Sequence, residues 1–315
     1  MKISAKTIRR KTVRVLSYPV LAIIILALQV IPITWTRRFS LFVGKQVYLN
    51  SHKTRKRTLA NLEDVYGDKM SEEERIDMAR KVFVEIVMSF MDYIAYSRLT
   101  NKTRFFSLIE VVGQEYLQAA YERGKGVICL IPHMSSWEFA AITPPMLGYE
   151  TSAASAALKI KRIQNMMIKF RARRGMKNIT RDGSYEKLVE VLRKGECLIL
   201  MIDQDTKVKS VFVDFMGKSA YTPTGASRLA LETGAAVVPM AMTRKEDGNY
   251  RFIIQPELPL ISTGNPESDI YENTRIQTKS IESIIRTYPA QWVWMHDRWR
   301  TTPEMVEEYR RSKNK

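Results

Sequence analysis

Cysteine and histidine are scarce: a chain of 315 residues holds two of the first and three of the second. Two cysteines cannot frame a disulfide-stapled fold. Cys129 and Cys197 each sit inside an apolar run, so both read as small buried hydrophobes in a reducing compartment. Three histidines without an H-E-x-x-H pair leave too few ligands for a zinc site, and no metal is expected. With no G-x-S-x-G elbow, a covalent acyl-enzyme lacks a serine nucleophile. Carboxylates are also short: 33 Asp and Glu stand against 50 Lys and Arg, giving a formal charge of +17 and a pI near 9.8. Such a field favours a polyanion, whether nucleic acid, an anionic membrane surface or a phosphorylated ligand. Nucleic acid is disfavoured because the aromatics do not interleave with the basic residues as a stacking surface requires. Internal repeats, low-complexity tracts and Pro/Gly-rich linkers are missing too. With 45% hydrophobic residues, the chain reads as one folded domain with additions.

What is present begins with a run free of charge, Val15 to Trp35, "VLSYPVLAIIILALQVIPITW". Its length is about the 20 residues that cross a bilayer core. Lys2, Lys6, Arg9, Arg10, Lys11 and Arg14 precede it; Arg37, Arg38 and Lys45 follow. No A-x-A-like cleavage site follows the run, so an uncleaved membrane anchor is the expectation. Cations on both flanks leave the positive-inside rule undecided, and Pro19 and Pro32 also permit a segment that dips into one leaflet and returns. A buried core helix is the alternative, although such helices seldom run this long without a polar face.

Beyond the run, Leu59, Leu62, Val65 and Tyr66 repeat at helical spacing until Gly67. Ser71 and Glu74 form a capping box that opens a second helix. Strand-like and helix-like patterns then alternate. Strands are expected at 126–132, 197–203, 235–243 and 250–255, with a shorter one near 151–157. Helices are expected at 136–147, 160–174, 184–194, 223–233 and about 267–287. The alternation predicts an α/β fold: a central mostly parallel or mixed sheet flanked by helices, with an N-terminal membrane helix and a helical pair. In domain terms, a basic N-terminus and anchor over 1–36 precede one folded unit over 37–315. That unit divides into a helical part (37–110), an α/β core (111–300) and a basic tail (301–315).

The stretch "ICLIPHMSSWEFAA", Ile128 to Ala141, ends an apolar strand with a histidine and sets a glutamate five residues on. On one helix five residues turn through about 500°, so His133 and Glu138 meet only across a strand-to-helix junction. A histidine held by a carboxylate makes a general base for a hydroxyl near neutral pH, so the pair is a catalytic candidate. Equally, Ser135 and Glu138 form S-x-x-E, and Glu138 then serves only to cap the helix. Asp203, Gln204 and Asp205 in "MIDQD" stand at a strand end, where α/β sites gather; substrate contact and loop hydrogen bonds are both open to them. In "TPTGASRLALETGA", Thr222 reads as an N-cap, Pro223 as the first helical residue and Gly225 as an early one, making an anion or oxyanion site at a helix N-terminus. Arg228 is the nearby cation, for an oxyanion, a phosphate or a solvent-facing ion pair. Trp292, Trp294, Met295 and Trp299 read as core, and His296 as structural.

The H-x-x-x-x-E run resembles the motif of the glycerolipid acyltransferase superfamily, and five blocks, its own among them, narrow the likeness. "TRKRTLANLEDVYG", "HMSSWEF", "LRKGECLILMIDQD", "VFVDFMGKSAYTPTGASRLALETGAAVVP" and "QWVWMHDRWR" follow the order seen in bacterial lipid A late acyltransferases, from near Thr54 to Pro303. The resemblance implies a membrane-bound O-acyltransferase at the cytoplasmic face of the inner membrane. By the same resemblance His133 is the general base and Glu138 its orienting partner. The donor would be an acyl thioester, on acyl carrier protein or CoA, with no further cofactor, and the acceptor a hydroxyl on an anionic, phosphorylated glycolipid. One block departs from the family. A tyrosine–arginine–proline run is replaced by "SAASAALKIKRIQNMMIKF", where Lys159, Lys161 and Arg162 are the neighbouring cations; Lys159 and Arg162 are the substrate-binding candidates. Two rivals stand beside this reading: the same chemistry on another glycolipid or lysophospholipid, such as a phosphatidylinositol mannoside, and a non-catalytic basic protein on anionic membranes.

Overall fold

Seven strands pair into one sheet in the computed structural model, which describes residues 26–97, 99–155, 161–180 and 185–313. They are β1 (Ile109–Val112), β2 (Val127–Leu130), β3 (Thr151–Ser155), β4 (Met176–Thr180), β5 (Cys197–Leu200), β8 (Ala236–Arg244) and β9 (Tyr250–Ile254). Their order is β1-β9-β8-β2-β5-β3-β4. Strands β8, β2, β5, β3 and β4 are parallel neighbours, while β9 turns back antiparallel on β8 and β1 runs parallel to β9. Strands β6 (Ser210–Phe215) and β7 (Lys218–Pro223) form a separate hairpin.

The side-chain period of two sends alternate residues of β2 into two cores. Ile128 and Leu130 pack with Leu62, Phe83, Leu192, Leu229 and Ile285. These come from helices α2 (His52–Tyr66), α3 (Glu72–Ala95), α8 (Tyr185–Arg193), α9 (Gly225–Thr233) and α10 (Pro266–Thr287). On the opposite face, past the short α4 (Lys102–Phe106), Val127, Cys129 and Ile131 pack with Leu117, Phe139 and Phe170, from α5 (Gln114–Glu122), α6 (Trp137–Leu147) and α7 (Lys161–Ala172). The mostly parallel, helix-flanked sheet is the one the alternation predicts, and the Ser71–Glu74 capping box forms at the start of α3.

The sequence reading missed β1, β4 and the β6/β7 hairpin. The first two are short and carry charged or polar residues ("IEVV", "MKNIT"). The hairpin was legible: Met216 and Gly217, both at positive φ, make the two-residue turn that joins "VFVDF" to "KSAYTP". Its second strand runs to Pro223, so the expected helix start is wrong by two residues. Thr224 occupies the N-cap position of α9, and Thr222 lies buried in β7.

Among the described residues no helix is long and apolar enough to cross a membrane. Of the expected anchor, Val15–Ile25 lies outside the described residues. The remainder is not one helix through to Trp35: the chain turns over Gln29–Pro32, and α1 (Ile33–Asn50) starts after Pro32, whose missing N–H suits a helix entrance. The boundary expected at residue 36 falls inside α1. This helix buries Thr36, Ser40, Gly44 and Tyr48, every fourth residue, against α3. A Cβ on Gly44 would sit 2.7 Å from the Val84 Cα, so only glycine admits this approach. Gly44→Val is expected to destabilise the fold by about 1–3 kcal/mol, as overpacking does, read as a lower urea midpoint at unchanged m-value.

Candidate active site

Strand pairing dictates the centre of the site. In the ladder of β2 on β5, Val127 faces Cys197 and Leu130 faces Leu200, an offset that, carried three residues past the ladder, sets His133 beside Asp203. Parallel neighbours lie about 4.8 Å apart, within reach of two side chains. The Asp203 carboxylate accepts at 2.7 Å from the His133 backbone N–H on Oδ2 and stands 2.7 Å from the imidazole Nδ1 through Oδ1. Trp292 Nε1 donates to the same Oδ2 at 2.9 Å. The carboxylate is fully buried, while the imidazole is 20% exposed. Burial alone would raise the Asp203 carboxyl, but the His133 charge and these three hydrogen bonds override it and hold the group well below the usual carboxylate range.

Glu138 does not reach His133. It lies in the first turn of α6, where its carboxylate receives Arg171 Nε at 3.0 Å and Nη2 at 2.6 Å, a two-pronged pair. The expectation that Glu138 orients His133 is therefore corrected: the parallel-strand register supplies Asp203 in its place. The capping box also fails. The N-cap is Ser136 and makes no side-chain cap; Ser135 takes φ 43° and turns its hydroxyl to Glu85 at 2.8 Å. Arg171 directly follows the stretch "SAASAALKIKRIQNMMIKF", near the C-terminus of α7, and its Nη1 also donates to Asn178 Oδ1 at 3.0 Å. Burial would lower the Arg171 guanidinium, yet the Glu138 charge and hydrogen bonds raise it above its ordinary value.

These groups open on a cavity of about 600 Å³ at the carboxyl ends of β2, β3 and β5. His133, Trp137, Glu138 and Arg171 line one part of it, Ala153, Met167, Ile199 and Met201 its apolar wall, and Lys209, Gly225 and Arg228 another part. Arg228 lies over the Tyr185 ring at 5.1 Å. Gln204 lines the cavity too and donates its amide to His296 Nε2 at 2.8 Å. Of the remaining candidates, Asp205 accepts from Arg300 and the Thr301 N–H and is used in a loop. Thr222 takes a hydrogen bond from the buried Arg298 at 2.5 Å; neither residue lines the cavity. Lys159 lies outside the described residues, and of Arg162, on α7, the backbone alone is described.

A buried ionic cluster behind the loop escaped the sequence reading. Arg244, at the end of β8, donates Nε to Glu85 at 2.9 Å and Nη1 to Asp92 at 2.7 Å, both on α3. Gln291 exchanges hydrogen bonds with the Arg244 backbone, and its carbonyl accepts the Ser135 N–H at 2.7 Å. The loop that carries His133 is thus tied to β8 and α3 at once. A charged Glu85 at helical spacing among apolar residues was the available signal.

His296, whose ring centre lies 5.9 Å from that of His133, is pushed down to about 4, first by burial and then by the His133 charge. A histidine whose folded value lies below its unfolded value near 6.5 leaves stability whole above that pH and erodes it as pH falls towards the folded value. Stability is expected to drop between those limits, and His296→Gln, which keeps an acceptor for Gln204, to flatten the slope. Urea midpoints across that range check it.

The profile of bacterial lipid A biosynthesis acyltransferases matches residues 6–301. Phosphatidylinositol mannoside acyltransferase of Mycolicibacterium smegmatis is 26% identical over 195 residues, 61% of this chain but 62% of that protein. The Haemophilus influenzae lipid A biosynthesis acyltransferase is 25% identical over 276 residues, 87% of this chain and 83% of the relative. The Escherichia coli lipid A biosynthesis lauroyltransferase is 27% identical over 253 residues, 78% and 79% of the two chains. Because the profile takes in both strands that deliver His133 and Asp203, and nearly all of the chain around them, the protein belongs to the bacterial lipid A biosynthesis acyltransferase family.

Proposed function

We propose that the protein transfers a fatty acyl group from a thioester, on acyl carrier protein or CoA, to a hydroxyl of a phosphorylated glycolipid of the lipid A precursor type at the cytoplasmic face of the inner membrane. The observation that carries this reading is the His133–Asp203 pair at the rim of the cavity. With Nδ1–H donated to the carboxylate, Nε2 is left to accept a proton. The acceptor hydroxyl attacks the thioester carbonyl as its proton passes to Nε2; the C–S bond then breaks, and the imidazolium returns the proton to the departing thiolate. Arg171, held charged by Glu138, is the cation to meet negative charge on the thioester oxygen. Lys209 and Arg228, which line the cavity, would meet a phosphate on the acceptor.

Direct transfer, without an acyl-enzyme, has support from Cys129. Its thiol is fully buried, faces the core and does not line the cavity. Its hydrogen bond to Cys197, then burial, push it well above the ordinary thiol range. Cys129→Ala is expected to lose some stability and little transfer activity. Mixing purified protein with labelled acyl thioester and a glycolipid acceptor, then analysing products by mass spectrometry, tests the reaction. A stoichiometric, hydroxylamine-sensitive label on the protein that disappears in Cys129→Ala would mean a two-step mechanism. A second acceptor, a phosphatidylinositol mannoside, is favoured by the identity to the mycobacterial enzyme and belongs in the same assay.

A further inference from the structure

Helix α1 is amphipathic the wrong way round. Its buried stripe is Thr36, Ser40, Gly44 and Tyr48, while Trp35, Phe39, Phe42 and Leu49 point outward and are 51–64% exposed. At 100° per residue those four outward side chains fall within one narrow stripe opposite the buried one. No described residue covers them. Two observations say what does. Every charged side chain before Glu63 is a lysine or an arginine, and the exposed Arg38 and Lys45 lie along one edge of the apolar stripe. An apolar stripe bordered by cations fits the headgroup boundary of an anionic bilayer, whereas a second copy of this chain would bring like charge against like. Beside α1, a second exposed apolar ring leads towards the active site. Gln29 meets Ser97 at 2.7 Å and Gly44 meets Val84, so α1 runs antiparallel to α3, and the exposed Phe90 lies between those levels. Its ring is edge-on to Trp137 at 6.5 Å, and Trp137 is 5.8 Å from the His133 ring.

We propose that α1 is a docking surface for an anionic membrane: it lies in the plane of the interface, with Trp35, Phe39, Phe42 and Leu49 among the acyl chains and Arg38 and Lys45 at the headgroups. A lipid acceptor then reaches His133 sideways from the bilayer, past Phe90 and Trp137. This entry route rests on the proposed acyl transfer; the docking itself does not, and it is measured without catalysis. The full chain is mixed with vesicles of phosphatidylethanolamine and phosphatidylglycerol. Phe39→Ser/Phe42→Ser is expected to partition at least tenfold more weakly than the parent and to keep its activity on detergent-dispersed acceptor. A Phe42→Cys protein carrying an environment-sensitive dye should shift to the blue on vesicle addition and be quenched most by lipid brominated near the headgroup. Unchanged dye emission, or unchanged partition of the double variant, overturns the proposal. So does a blue shift that grows with protein concentration in the absence of vesicles, which would mean that a second copy covers the face. His133→Ala should dock as the parent does, so a failure of the catalytic reading leaves this result standing.

Discussion

Asp203→Asn is expected to lower kcat by about 10²–10⁴-fold, the range typical of acid–base groups, with little change in KM. An asparagine keeps the shape but must turn its amide towards one of three donors: the His133 backbone N–H, its ring nitrogen or Trp292 Nε1. If the amide faces the ring, Nδ1 becomes an acceptor and the proton moves to Nε2, the wrong tautomer for a base. Loss of the anion also removes the charge that faces the imidazolium formed during transfer. Stability offers an independent readout. Since the folded Asp203 carboxyl is held below its unfolded value of about 3.9, it contributes stability that is complete above that pH and is lost as pH falls further. The asparagine variant should lack this acid-labile component. His133→Ala and the double variant should lose no more activity than the worse single, because residues that act as a unit are not additive. An Asp203→Asn variant with unchanged kcat would remove Asp203 from the mechanism.

His133 could be singled out from sequence, but its partner could not. The spacing to Glu138 is local and visible, whereas the link to Asp203 depends on which parallel strand lies next to β2, and strand order is not written along the chain. The two strands do end alike, "LIPH" and "LMID", apolar runs closed by a titratable residue. That rhyme would have sufficed, had β2 and β5 been known to be neighbours. Helix patterns were read well because one buried face repeats every three or four residues. Helix α1 was not singled out in the sequence, for the converse reason. Its small residues face the core and its large ones face outward, so hydrophobicity there marks the exposed side. Thr222 was misplaced because a proline after a threonine looks like a helix entrance, while here it closes an antiparallel strand.

Glu138→Gln is expected to destabilise the protein by about 3–5 kcal/mol, the cost of leaving a buried charge without its partner. A residue that merely capped α6 would predict almost no change on this substitution. Each side chain of the Glu138–Arg171 pair is 11% exposed, so water does little to replace the lost carboxylate. Arg171→Met should cost a similar amount by stranding Glu138. The double variant Glu138→Gln/Arg171→Met removes both charges and should be more stable than either single, because an apolar replacement of a buried pair is often neutral. Activity separates structure from chemistry. If Arg171 meets the charge that develops on the thioester oxygen, the double variant regains its melting temperature while kcat stays about 10²–10³-fold down, as when an oxyanion donor is lost. Recovery of both stability and rate would reduce the pair to packing and leave the cavity without a cation beside His133. Loss of kcat with unchanged KM at restored stability would instead assign Arg171 to the transition state, with Glu138 acting through it as a positioning residue.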